Sequence, residues 1–190
     1  VFEGSAAGVD TDADTSLAGD SLGDTFGWVV SGAGDVNGDG YDDVIVGAPG
    51  ADSATGAAYV YEGSSTGILG GTEEIITGAL EGISLGWSVS GAGDIDNDGY
   101  DDVIVSAPLA GVDGEVYIHD GSAGGISTTA DTTLSTPSGT VLFGWSVSDA
   151  GDVNSDGYDD VIVGAPGVYG IGAAYVLSLI HISEPTRQIR

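Results

Sequence analysis

The chain has 190 residues and a formal net charge of −28, and its only basic residues are Arg187 and Arg190. With no Lys or Arg from Val1 through Thr186, its carboxylates lack internal ion-pair partners, and a surface this acidic speaks against nucleic acid or anionic lipid as partners. Cysteine is absent, which excludes disulfides and thiolate metal sites, and no apolar run approaches the ~20 residues that span a bilayer.

In chain order, "VFEGSAAGV" at Val1 matches "VYEGSSTGI" at Val60, so the chain is expected to open inside the third strand of a repeat. Asp10, Asp12 and Asp14 have a metal-like spacing, but Thr15 stands where a turning glycine is needed, and a solvated linker is favoured. "FGWVVSGAGD" at Phe26 returns as "LGWSVSGAGD" at Leu85 and "FGWSVSDAGD" at Phe143. "DDVIVGAP" at Asp42 returns at Asp101 and Asp159, and "GAAYVYEGS" at Gly56 returns as "GEVYIHDGS" at Gly114 and begins again at Gly172. From Trp28, Trp87 and Trp145 to the following Pro49, Pro108 and Pro166 the distance is 21 residues each time. The length change falls between that Pro and the next Tyr59, Tyr117 or Tyr175, so the variable loops are Gly50–Thr55, Leu109–Asp113 and Gly167–Ile171.

Each unit predicts four strands: "GWSVSGA", "DVIVGA", "AAYVYEG", and a weaker one at Ala13, Thr72 and Ala130. Four strands in ~60 residues suit propeller blades, which stack radially to bury both faces. The expected fold is all-β, a partial β-propeller of about three four-stranded antiparallel blades, cut mid-blade at both ends. Its repeat units are 1–25 (partial), 26–84, 85–142 and 143–176 (partial). After "GAAYV" the tail "LSLIHISEPTRQIR" abandons the repeat and resembles the translation of a sequencing adapter. Residues 177–190 are therefore taken as a non-native tail, outside the 1–176 repeat domain.

The acidic loops carry the chemistry. Counted from Asp35, positions 1, 3, 5 and 9 are Asp35, Asn37, Asp39 and Asp43; the second loop has Asp94, Asp96, Asp98 and Asp102, the third Asp152, Asn154, Asp156 and Asp160. Position 6 is Gly40, Gly99 or Gly157, and position 7, whose backbone carbonyl adds a neutral ligand, is Tyr41, Tyr100 or Tyr158. Alternate oxygens converge when such a backbone curls, and four side chains, one carbonyl and water match the roughly six to eight oxygens Ca²⁺ takes. An EF-hand loop opens the same way but closes with an acidic position 12 before a helix; here Val46, Val105 and Val163 stand at 12, within β-rich runs. The competing reading is a solvated acidic turn. At position 8, alternation points Asp42, Asp101 and Asp159 away from a metal, as hydrogen-bonding or solvated groups.

"FG…GAP" framing D-x-[DN]-x-D-G-x-x-D resembles the FG-GAP repeat of integrin α-chain propellers and of many bacterial surface proteins. The resemblance covers residues 1–176, departing at Leu85 (for Phe) and Ser106 (for Gly). It implies a calcium-stabilised extracellular or cell-surface propeller for adhesion or ligand binding, with about three Ca²⁺ held by the fifteen residues named at positions 1, 3, 5, 7 and 9.

A protein or glycan partner is expected at the variable loops, with no membrane insertion. The alternatives are the propeller of a secreted hydrolase, or an acidic spacer adapted to high salt. An enzyme is not expected, since His119, in the place of Tyr61, is the one His outside the tail and reads as a structural substitution. Trp28, Trp87 and Trp145 read as core packing between blades rather than a sugar platform, and Tyr59, Tyr117 and Tyr175 as inter-blade packing.

Overall fold

A computed structural model describes residues 4–5, 8–9, 15–71, 73–136, 142–167 and 170–178. The chain builds three antiparallel sheets in sequence order. Blade 1 holds β3 (Val29–Gly34), β4 (Asp43–Ala48), β5 (Ala57–Tyr61) and β6 (Glu74–Thr77). Blade 2 holds β7 (Val89–Gly93), β8 (Asp102–Ala107), β9 (Glu115–His119) and β10 (Thr132–Ser135). Blade 3 holds β11 (Ser146–Gly151), β12 (Asp160–Ala165) and β13 (Ala173–Leu177). Each strand pairs with the next in sequence, as in a propeller blade, and β3, β7 and β11 lie side by side as the innermost strands. Ahead of them, β1 (Gly4–Ser5) and β2 (Gly8–Val9) form a short hairpin.

The expected strands are therefore present in three blades, with two qualifications. The fourth strand expected at Ala13 falls partly outside the described residues, and residues 15–17 lie in no strand. At the other end β13 continues through Leu177, which pairs with Val161, one residue past the expected boundary. The Asp10, Asp12 and Asp14 run lies outside the described residues.

The "VIV" strands lie inside each sheet and are apolar without alternation; β8 is buried on both faces, while Val44 of β4 and Ile162 of β12 are half-buried. Period two sends their side chains to opposite joints. Ile45 joins Val103 and Val105 in the core between blades 1 and 2, while Ile104 joins Val161 and Val163 in the core between blades 2 and 3. Blade 2 has neighbours on both faces, and all six residues of β8 are buried. No helix among the described residues is long and apolar enough to cross a membrane.

The three Trp form a ladder across the blades. Ring centroids are 5.3 Å apart for Trp28–Trp87 and 4.8 Å for Trp87–Trp145. They do join blade to blade, but not as buried core: Trp28 is 57% and Trp145 42% exposed. They stand just before the innermost strands, each against a neighbouring indole. Phe26 packs edge-on against Tyr59, and Phe143 against Tyr175. His119 is buried, with Nδ1 bonded at 2.8 Å to the Ser127 carbonyl oxygen, and burial lowers its pKa.

Candidate metal centres

Twelve of the fifteen expected ligand residues lie on the loops joining the first strand of a blade to the second, and the position-9 residues Asp43, Asp102 and Asp160 open the second strands; each loop begins at a bulge. There Gly34, Gly93 and Gly151 have φ of 79°, 70° and 62°. The loops share one hydrogen-bond pattern. The position-1 carboxylate accepts from the backbone N–H of positions 5 and 6, at 3.0 and 2.8 Å in the first loop, 3.0 and 2.9 Å in the second and 3.0 and 2.9 Å in the third. Position 5 accepts from the position-7 N–H in all three. At position 3, Asn37 and Asp96 accept from the N–H of Asp39 and Asp98.

Left-handed backbone occurs at position 6, as the glycines predict, and also at position 4: Gly38, Asn97 and Ser155 have φ of 72°, 60° and 60°. The residue types Gly, Asn and Ser were the available signal for that second turn, Gly and Asn being the residues that tolerate it best.

Position 9 does more than face the loop. Asp43 is buried and accepts from Val36 N–H at 2.9 Å with Oδ2 and from Gly63 N–H at 2.7 Å with Oδ1. Asp102 repeats this with Ile95 at 2.9 Å and Gly121 at 2.8 Å. It thus ties the acidic loop to the turn after the third strand. In the third copy Asp160 Oδ2 accepts from Val153, but buried Oδ1 has no partner among the described residues. The position matching Gly63 and Gly121 is Leu179, outside the described residues.

In the second loop, oxygens of Asp94, Asp96 and Asp102 all lie within 4.8 Å of one another. Asp98, occupied by the Tyr100 N–H, stands outside that group, and the other two loops carry Asn at position 3. Burial, reinforced by repulsion from Asp120 and Asp96, pushes the Asp102 carboxyl up to about 7. Burial and then Asp98 raise Asp96, and burial foremost raises Asp43. Asp120 rises to about 6 through burial and its neighbours Asp131, Asp96 and Asp98. The exposed Asp152 is lowered, chiefly by the Gly157 N–H. Crowded carboxylates without a basic side chain are the donor set a hard divalent cation fits.

These shifts give a pH prediction for the cation-free protein. A carboxyl held above its ordinary value of 3.8 adds stability below that value and loses it as pH rises to the folded value, about 7 for Asp102. The melting temperature without divalent cation should therefore fall between pH 5 and pH 8. Buried His119, lowered, opposes this only as pH drops below its ordinary value of 6.5. Melts in EDTA across that range check the sign.

Position 8 forms a joint between blades. Asp101 Oδ2 accepts from the Asp35 N–H of the preceding blade at 2.8 Å, and the Asp101 N–H donates to the Asp35 carbonyl at 3.2 Å. Asp159 repeats both contacts on Asp94, with its N–H donating at 3.3 Å. Hydrogen bonding was the expected role, but the partner was not legible. The signal lay in Gly34 and Gly93, whose added Cβ would collide with the Asp101 and Asp159 carboxylates. A second tie also escaped the sequence: Glu74 of blade 1 accepts from Ile126 N–H of blade 2 at 2.6 Å.

A sequence profile described as the FG-GAP repeat matches residues 26–61, 85–119 and 143–177, each running from before the first strand to the end of the third. Similar curated proteins include Integrin alpha-PS5 of Drosophila melanogaster, 37% identical over 187 residues, covering 90% of this chain and 18% of that protein. Integrin alpha-4 of Xenopus laevis is 36% identical over 154 residues, covering 77% and 15%. Integrin alpha-8 of Gallus gallus is 34% identical over 178 residues, covering 85% and 16%. The chain thus spans less than a fifth of the length of these relatives. Its three matched segments make up more than half of its residues and frame the three loops just described, and the chain belongs to the FG-GAP repeat family.

Proposed function

We propose that this chain is a calcium-loaded, non-catalytic binding module of an extracellular or cell-surface protein. The observation that carries the reading is the convergence of Asp94, Asp96 and Asp102 within 4.8 Å in a chain without basic side chains before Arg187. Positions 1, 3, 5 and 9 of each loop, with the carbonyls of Tyr41, Tyr100 and Tyr158, would hold one Ca²⁺ per blade, about three in all. The cation would supply charge neutralisation; the N–H network of the loops holds the carboxylates in place for it. The functional domain is residues 1–176, with 177–190 excluded as a tail.

The partner would be a protein or glycan meeting the variable loops. These connect second to third strands, at the blade ends opposite the acidic loops. They carry apolar side chains in water: Leu109 is 51%, Val112 90% and Ile171 90% exposed. Asp52, Ser53 and Ala54 hold left-handed φ of 45°, 60° and 63° in the first variable loop, a cost of about 1–2 kcal/mol each. Backbone strain of this kind concentrates at binding loops.

Calcium titration of the chain, followed by heat of binding and thermal unfolding together, tests the reading. About three ions should bind, and stability should rise by roughly 1.4 kcal/mol per site for each tenfold excess over Kd, raising the melting temperature with it. Stabilisation by molar monovalent salt alone, with no binding heat, would instead mark the carboxylates as solvating charge.

A further inference from the structure

The chain contains three asparagines, and all lie in the acidic loops: Asn37 before Gly38, Asn97 before Asp98 and Asn154 before Ser155. An asparagine can react with its own backbone, because its side-chain carbonyl carbon and the next residue's nitrogen close a five-membered ring. The three sites differ in what decides that reaction. Gly38 has no Cβ to shield its nitrogen, is exposed, and at φ of 72° occupies the left-handed region that glycine enters freely. Asn37 is half-buried beside it, and its Oδ1 accepts from the Asp39 N–H at 2.9 Å. That bond folds the side-chain amide over the backbone of residues 38 and 39. It also polarises the carbonyl, with a donor in place for the charge that develops on Oδ1 when a nucleophile adds to Cγ.

The other candidates are hindered. Ser155 takes the same turn at φ of 60°, but its side chain stands beside the nitrogen, and Asn154 directs Nδ2 to the Ser178 hydroxyl at 3.3 Å. After Asn97, the Asp98 N–H is held by the Asp94 and Asp96 carboxylates at 3.0 and 3.1 Å. The Asp–Gly pairs at 39–40, 98–99 and 156–157 offer a glycine, but an ionised carboxylate is a poor electrophile. Their glycine N–H groups are bonded to the position-1 carboxylates at 2.8, 2.9 and 2.9 Å.

We propose that Asn37 is a site of spontaneous covalent modification, deamidation through a succinimide. The Gly38 nitrogen attacks Cγ of Asn37 and loses its proton; the Cγ–Nδ2 bond breaks, and ammonia leaves with that proton. Water then opens the ring. Cleavage at Cγ gives aspartate, and cleavage at the backbone carbonyl gives isoaspartate, whose main chain is longer by a methylene. One water enters, one ammonia leaves, and nothing is oxidised or reduced. The aspartate product gives the first loop carboxylates at positions 1, 3, 5 and 9, the set the second loop has in Asp94, Asp96, Asp98 and Asp102. The isoaspartate product lengthens the chain where Gly38 packs under blade 2: a Cβ on Gly38 would lie 2.7 Å from Cε1 of Tyr100. The reaction concerns the cation-free chain and does not depend on the loops taking calcium.

The test is incubation of the full chain in EDTA at pH 8, with far-UV dichroism followed to show that it stays folded, then pepsin digestion and mass spectrometry. The Asn37 peptide should gain the mass of an amide-to-acid exchange roughly tenfold or more faster than the Asn97 and Asn154 peptides. An isoaspartyl methyltransferase should label part of the product at residue 37. Asn37→Gln, which would have to close a larger ring, should lose the mass gain. Ser155→Gly should speed the reaction of Asn154 by roughly tenfold. Equal rates at the three asparagines overturn the proposal, as does reaction of Asn37 only after urea has unfolded the chain. An Asn154 unmoved by Ser155→Gly overturns it as well, because the glycine would then not be what opens the site.

Discussion

Asp102→Ala is expected to remove about 3 kcal/mol of unfolding free energy, more than the same change at Asp160. Asp102 is fully buried and holds Ile95 N–H with one oxygen and Gly121 N–H with the other. Truncation leaves two donors without partners, at about 1–3 kcal/mol each, offset in part because a carboxyl pushed up to about 7 is itself a burden when ionised. Asp160 gives up one such bond, to Val153, and its other oxygen has no partner among the described residues. A loss of about 1 kcal/mol is expected there. Urea unfolding of both variants in EDTA isolates this tie from cation binding. Equal losses would mean that the link to the turn after the third strand contributes nothing.

Gly93→Ala should be the more damaging of two otherwise identical substitutions. Gly93 and Gly151 both take left-handed φ, 70° and 62°, so an alanine at either costs about 1–2 kcal/mol in the backbone. At Gly151 the new methyl meets nothing within 4 Å among the described residues. At Gly93 it meets the Asp159 carboxylate, with Cγ at 2.7 Å, where that group clasps the Asp94 amide. Overpacking there adds about 1–3 kcal/mol and pushes blade 3 from blade 2. A difference of about 2 kcal/mol between the two variants, read from calcium-free melts, is the expected outcome; parity would show that the Asp159 clasp yields without cost.

Much of this was legible because the chain repeats itself. Three copies of D-x-[DN]-x-D-G-x-x-D between two β patterns fix the loops on strand ends, and "VIV" without alternation marks strands covered on both sides. Contacts that span blades were not legible. Asp101 reaches Asp35, 66 residues away, and no local period encodes that distance. The second role of Asp43 and Asp102 was hidden for the same reason, their partners Gly63 and Gly121 lying 20 and 19 residues downstream. The Trp were misjudged as core because size and apolarity signal burial, yet a row of indoles can satisfy itself by mutual contact at an edge.

That row makes the molecule its own optical gauge. Indoles whose centroids lie 5.3 and 4.8 Å apart interact electronically as a set, so their near-ultraviolet dichroism and emission depend on how the three sheets are aligned. Any force or solvent that parts one blade from its neighbour uncouples one indole from the others while each sheet stays intact. Blade separation and strand melting would then be read as two spectroscopic events, in the native sequence and without a label.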